Sequence, residues 1–166
     1  MPIQGGVKFF TRSKCLFQDG TDINASTGQD SASFCIDRNP ITYWRSVGSN
    51  DVTTEELEIV FTENMTFDRI LLLDHNFKGY NIQYFSGGTY VHFSNVVGIS
   101  GAMANITETA FDQDTSYYEF TQVTTSKIRI QILTTQVVDQ EKYLNQAIVC
   151  SEIGTLQGYP EIISRS

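Results

Sequence analysis

Asp37, Asn39 and Thr42 stand at the spacing Asp-x-Asn-Pro-x-Thr inside the stretch IDRNPITYW, which ends on the chain's single tryptophan, Trp44. A carboxylate, a hydroxyl and several backbone carbonyls can face one concave side of a loop this tight. Calcium is held by about six to eight such oxygens, so the loop is a candidate cation site. The same residues are also ordinary turn chemistry, because Asp and Asn side chains cap their own backbone and Pro40 fixes a bend. Both readings stand on the sequence alone. A helix is excluded here, since Pro40 lacks a backbone donor and Ile41, Thr42 and Tyr43 are poor helix formers.

A second group, Arg45, His75, Asn76, Tyr80 and Tyr117, has the residue types that bind sugars. Such recognition needs a flat apolar face for the ring and planar donors for paired hydroxyls. The stretch DHNFKGY follows an apolar run and is expected to lie on a loop, with Tyr43, Phe77, Tyr117 and Tyr118 offering faces. The alternative is that His75 and Asn76 bond local backbone while the aromatics fill the core. Catalysis has little to stand on. There are two histidines, no G-x-S-x-G elbow and no H-E-x-x-H pair. The acidic pairs Asp112/Asp114 and Glu55/Glu56 sit in segments that read as polar loops.

The elements that must position these residues are strands. KIRIQIL places Ile128, Ile130 and Ile132 on one face and Arg129 and Gln131 on the other. LEIVF alternates more loosely, and RILLLD reads as a central strand covered on both faces. NIQYF and TYVHF flank Ser86-Gly87-Gly88, a hairpin connection. SYYEF and AIVCSEIG supply two more, and no amphipathic helix of ten or more residues is evident. Short strands joined by Gly, Asn, Asp and Ser turns predict an all-β sandwich or barrel.

With the strands placed, the order of segments resembles the discoidin, or coagulation-factor type C, family of galactose-binding-like β-sandwiches. The resemblance is carried by the Asp-x-Asn-x-x-Thr-x-Trp corner, the LEIVF strand, FDRILLLDHNFKGYNIQYFSGG, the KIRIQI strand and a closing strand with Glu152 near its end. It implies an all-β, eight-stranded antiparallel jelly-roll over residues 13–155, with an N-terminal arm at 1–12 and a C-terminal tail at 156–166. It also implies non-catalytic adhesion or ligand capture at loops on one end. Many members carry a structural calcium near the corner, which makes Asp37, Asn39, Thr42 and Glu152 the expected metal set, and family precedent puts Trp44 in the core. Cys15 and Cys150 could echo the end-joining disulfide of vertebrate members. A second resemblance, through IDRNPITYWRS and the closing IGTLQGYP, is to small structural proteins of tailed bacteriophages.

Composition sets the outer bounds. The chain has 166 residues and a net charge of −8, long enough for a core. The acidity disfavours nucleic acid and anionic membrane, which need clustered Lys and Arg. It leaves cations and neutral ligands such as sugars. MPIQGGVKFF has no long apolar core, so no signal peptide is expected, and the three cysteines, without Cys/His metal spacing, are expected as reduced buried thiols. The expected role is a module that binds a glycan or host-surface polysaccharide, as part of a phage virion assembled in the host cytoplasm. The alternative is a purely structural particle subunit whose termini dock on other virion proteins; self-association into a homo-oligomer is compatible with either.

Overall fold

The computed structural model describes residues 7–16 and 19–156. Its strands are β1 (Val7–Phe10), β2 (Asp22–Ala25), β3 (Trp44–Arg45), β4 (Glu55–His75), β5 (Phe77–Ser86), β6 (Thr89–His92), β7 (Val96–Gly98), β8 (Gly101–Met103), β9 (Thr107–Glu108), β10 (Ser116–Thr135), β11 (Tyr143–Cys150) and β12 (Glu152–Leu156). Among the described residues the helical elements are one turn, α1 (Gln29–Ala32), and a 3-10 turn at Ser33–Ile36.

β4 and β10 are long enough to belong to both layers of a sandwich. Their first contact pairs Glu55–Val60 with Lys127–Ile132; their second pairs Arg69–Leu72 with Ser116–Glu119, with register shifts between. In one layer the order is β2, the first half of β4, the second half of β10, β5 and β6. In the other it is β3, β11, the second half of β4, the first half of β10, β7 and β8. Every pairing is antiparallel. Four strand segments at the centre of each layer make the eight-stranded jelly-roll.

Alternation decides which side chains fill the space between. Leu57, Ile59, Ile128, Ile130, Ile132 and Ile82 come from one layer and Ile70, Leu72, Tyr118, Leu144 and Val149 from the other; all are buried in a single cluster. RILLLD departs from the expectation of a strand covered on both faces: Leu71 and Leu73 are half-exposed while Ile70 and Leu72 are buried. Glu55 and Glu56 open strand β4 rather than lying in a polar loop. The β5–β6 hairpin turns at Gly87 and Gly88, with φ of 59° and 87°, the left-handed pair that a two-residue turn demands.

β1 and β12 form a separate two-stranded ribbon, so Val7–Phe10 of the expected N-terminal arm is paired with Glu152–Leu156. Met1–Gly6 and residues 157–166, including most of the expected tail, lie outside the described residues. Cys15, Cys35 and Cys150 are free, buried thiols. Burial pushes the Cys15 thiol up to about 11, which keeps it protonated and inert.

Candidate functional site

Trp44 anchors one end of the sandwich. Its ring is fully buried, and its indole N–H donates to the Thr27 carbonyl at 3.0 Å. The next residue alternates outward, as a strand requires, so the buried Trp44 leaves Arg45 exposed. β3 pairs with the start of β11, which sets Arg45 opposite Tyr143. The guanidinium carbon then lies 5.3 Å from the centre of the Tyr43 ring and 5.1 Å from that of Tyr143, and the two rings meet edge to face at 5.8 Å. Both aromatic faces hold the cation in place. The Arg45 side chain makes no hydrogen bond or ion pair with any described residue, so its N–H donors point to solvent.

Around this group lies an open cleft of about 630 Å³. It is lined by Tyr43 and Arg45, by α1 with Phe34, and by Val47 and Glu141. Phe34 is 39% exposed and Val47 68%, so the lining mixes apolar faces with polar groups. The Val47 side is braced by Lys142, whose buried ammonium donates to the carbonyls of Asn50 and Thr53, each at 2.7 Å.

Of the five expected ligand-binding residues, only Arg45 reaches this cleft. His75, Asn76 and Tyr80 are corrected to structural roles. His75 closes β4 and is fully buried, stacked between Phe77 and Phe111 at 4.8 and 5.5 Å. Its Nδ1 accepts the Phe77 N–H, and Nε2 lies 3.3 Å from the Ser116 hydroxyl. Desolvation holds its pKa down at about 4, so the ring is neutral near pH 7. Asn76 is also buried; it accepts the Tyr143 N–H and donates to the Glu141 carbonyl. Tyr80 bonds Tyr118 hydroxyl to hydroxyl inside the core. The DHNFKGY stretch is therefore a tight strand-to-strand link, with Asp74 at φ 50°, rather than an open loop. Tyr117 stands on β10 opposite Leu71, which in turn faces Ile148. That is five residues, roughly 17 Å, along β11 from Tyr143, and its hydroxyl donates to Glu119.

The expected metal set does not assemble. Asp37, Asn39 and Thr42 do come together. The Asp37 carboxylate accepts from the Asn39 N–H at 2.7 Å and from the Thr42 hydroxyl at 2.9 Å, and the Asn39 side chain accepts the Ile41 N–H. Glu152, in contrast, ion-pairs with Arg69 at 2.6 Å in the opposite part of the sheet. Gln146, which touches Asp37, lies within β11, whereas Glu152 lies beyond that strand's end and opens β12 of the separate ribbon. Among the described residues no three of His, Cys, Asp and Glu gather in metal-binding range. With Glu152 elsewhere and the corner's oxygens already bonded, these residues do not fit calcium as a set.

Reading the sequence missed Phe34 and Glu141, which line the cleft, and Tyr143, whose ring flanks Arg45. Tyr143 sits almost a hundred positions from Arg45, and only the β3–β11 register joins them. The one available signal was that Tyr143 lies just upstream of AIVCSEIG, a segment that reads as a strand.

No protein-family profile and no curated protein matches the sequence. Solved structures do match the fold. Chitosan-binding module 1 from a chitosanase/glucanase of Paenibacillus sp. IK-5 superposes with a TM-score of 0.64 at 19% identity, covering 84% of this chain and 98% of that one. The family 32 carbohydrate-binding module of C. perfringens NanJ, solved with galactose, gives 0.62 at 14% identity with the same coverage. A pectin-binding carbohydrate-binding module gives 0.56 at 14% identity, over 76% of this chain and 87% of that one. These likenesses establish the fold: a galactose-binding-like β-sandwich of the kind that carbohydrate-binding modules share.

Proposed function

We propose that the chain is a non-catalytic glycan-binding module whose ligand sits in the cleft around Arg45. The observation that carries this is the exposed Arg45 guanidinium, held between Tyr43 and Tyr143 without a side-chain hydrogen bond to any described residue, lining an open cleft together with an exposed Phe34. A planar cation fixed in this way presents paired N–H groups to vicinal hydroxyls. The aromatic and aliphatic surfaces beside it suit the C–H face of a pyranose. The neighbouring folds whose names include chitosan-binding, galactose-bound and pectin-binding modules support the reading. A place in a virion rests on the short sequence resemblance alone.

Affinity electrophoresis through gels carrying galactan, chitosan or polygalacturonate tests it. At least one polysaccharide should retard the wild-type protein, and Arg45→Ala and Tyr43→Ala should each weaken that retardation by about tenfold or more, the equivalent of roughly 1.4 kcal/mol. Equal retardation of wild type and Arg45→Ala would move the site elsewhere. Release of reducing sugar from a retarding polysaccharide would overturn the non-catalytic reading.

A further inference from the structure

The corner from Phe34 to Thr42 turns three oxygens towards one point, and a nitrogen occupies that point. The Phe34 carbonyl, the Asp37 Oδ1 and the Asn39 carbonyl lie 3.0, 3.1 and 3.3 Å from Gln146 Nε2. The neighbouring Asn145 amide donates to the Thr42 carbonyl at 2.6 Å and to the Asn39 carbonyl at 3.3 Å. Oxygens that converge without a hydrogen between them repel one another. They tolerate this arrangement around a cation or around a group rich in N–H donors. Here the donor is an amide, and its orientation is fixed: Gln146 Oε1 accepts the Arg38 N–H at 3.0 Å. A flipped amide would set N–H against N–H there and aim a fourth oxygen into the cluster.

We propose that the Gln146 side-chain amide does in this chain the work of a bound cation, closing the Phe34–Thr42 corner without metal. Gln146 is 7% exposed, so both of its N–H bonds are committed to the corner and water does not replace them. Among the described residues the Asp37 charge is met by dipoles: the Asn39 N–H, the Thr42 hydroxyl and the Gln146 amide. Two consequences follow. The fold's stability is indifferent to divalent cations. And one substitution, Gln146→Glu, removes the donors and adds a carboxylate facing Asp37 and two carbonyls, which turns the corner into a divalent-cation site. The inference is independent of glycan binding, because it is read through thermal stability.

The test is a melting curve on the chelator-stripped chain, with and without millimolar calcium chloride. Wild type should melt at the same temperature in both. Gln146→Glu should melt several degrees lower when stripped, and calcium should restore it in a saturable way, since an ion that binds only the native state stabilises by mass action. A Gln146→Glu chain that fails to fold when stripped but folds with calcium supports the proposal equally. Gln146→Met, which removes the donors and adds no charge, should lower the melting temperature by about 5 °C with no response to calcium, and a melt equal to wild type would overturn the structural role of the amide. A calcium-dependent rise in wild type that Asp37→Ala abolishes would overturn the proposal outright.

Discussion

Gly28 and Arg45 touch through their backbones: a Cβ built on Gly28 would stand 1.9 Å from the Arg45 carbonyl oxygen and 3.2 Å from the Trp44 indole nitrogen. Gly28 also has φ 66°, a left-handed conformation that costs an ordinary residue about 1–2 kcal/mol. The loop that begins α1 is thus pressed onto the strand carrying the proposed ligand arginine, and only a residue without a side chain permits it. Gly28→Ala should destabilise the fold by more than this conformational cost and should displace Arg45, weakening glycan binding. Gly87→Ala is the control. It has the same sign of φ with nothing within 4 Å, so it should lose only the conformational cost and bind normally. Equal losses of stability in the two variants would show that the Gly28–Arg45 contact relaxes freely.

Trp44 reports on the same end of the sandwich from inside. Trp44→Ala should cost about 3–5 kcal/mol in chemical denaturation, the range for removing a fully enclosed aromatic. It also leaves the Thr27 carbonyl without its indole donor. Trp44→Phe should retain most of the packing and lose mainly that hydrogen bond, about 1 kcal/mol. A change within about 0.5 kcal/mol for the alanine variant, as at surface sites, would contradict the enclosure.

The fold was legible in the sequence because its signal is local. KIRIQIL alternates with period two, and the structure buries Ile128, Ile130 and Ile132 as that period demands. The placement of Trp44 in the core was legible too. The binding site was much less so. DHNFKGY has the composition of a ligand loop, yet aromatic packing draws His75 and Tyr80 inward: a neutral imidazole between Phe77 and Phe111 buries as well as a small aromatic. The cleft depends on partners far apart in sequence, Tyr43 and Arg45 on one strand entry and Tyr143 on another, and no local pattern records a β-sheet register. The expected gathering of Glu152 with Asp37, Asn39 and Thr42 is absent for a similar reason. The family resemblance implies Glu152 at the corner, whereas the residue lies beyond the end of β11, on β12, and pairs with Arg69.

Burial of His75 makes stability depend on pH in a defined window. Its folded pKa, about 4, lies below the ordinary value of 6.5. Between these values the unfolded chain binds a proton that the folded chain refuses, so unfolding gains on acidification. The contribution is fully present above pH 6.5, falls as pH drops from 6.5 to 4, and is flat below. A shift of this size corresponds to roughly 3 kcal/mol. Urea unfolding at a series of pH values should show that loss, and His75→Phe should remove most of the slope between pH 6.5 and 4.5. An unchanged slope in the variant would assign the acid sensitivity to carboxylates instead.

Lys142 links the stability of the fold to the shape of the cleft. Its ammonium is fully buried and donates to the Asn50 and Thr53 carbonyls, while its backbone exchanges hydrogen bonds with Ser46: the Lys142 N–H donates to the Ser46 hydroxyl and the Ser46 N–H to the Lys142 carbonyl. Lys142 thus ties together both ends of the segment from Ser46 to Thr53, which Thr27, Glu141, Asp139 and Thr135 also bond, and Ser46 and Val47 at its start line the cleft. Lys142→Met keeps the length and apolar stem and removes only the donors. The Asn50 and Thr53 carbonyls then lose their charged donor, at about 1–2 kcal/mol each for part-buried bonds. The expected outcome is a fold less stable by about 2–4 kcal/mol, with amide hydrogen exchange accelerated in residues 46–53 more than in β10. Glycan affinity should fall, although Lys142 touches no ligand, because the wall beside Arg45 is no longer held. Faster exchange spread evenly over the chain would mean that Lys142 supports the whole sandwich rather than this loop. Unchanged affinity with a loosened loop would show that ligand contact is confined to Arg45, its two tyrosines and the α1 side of the cleft.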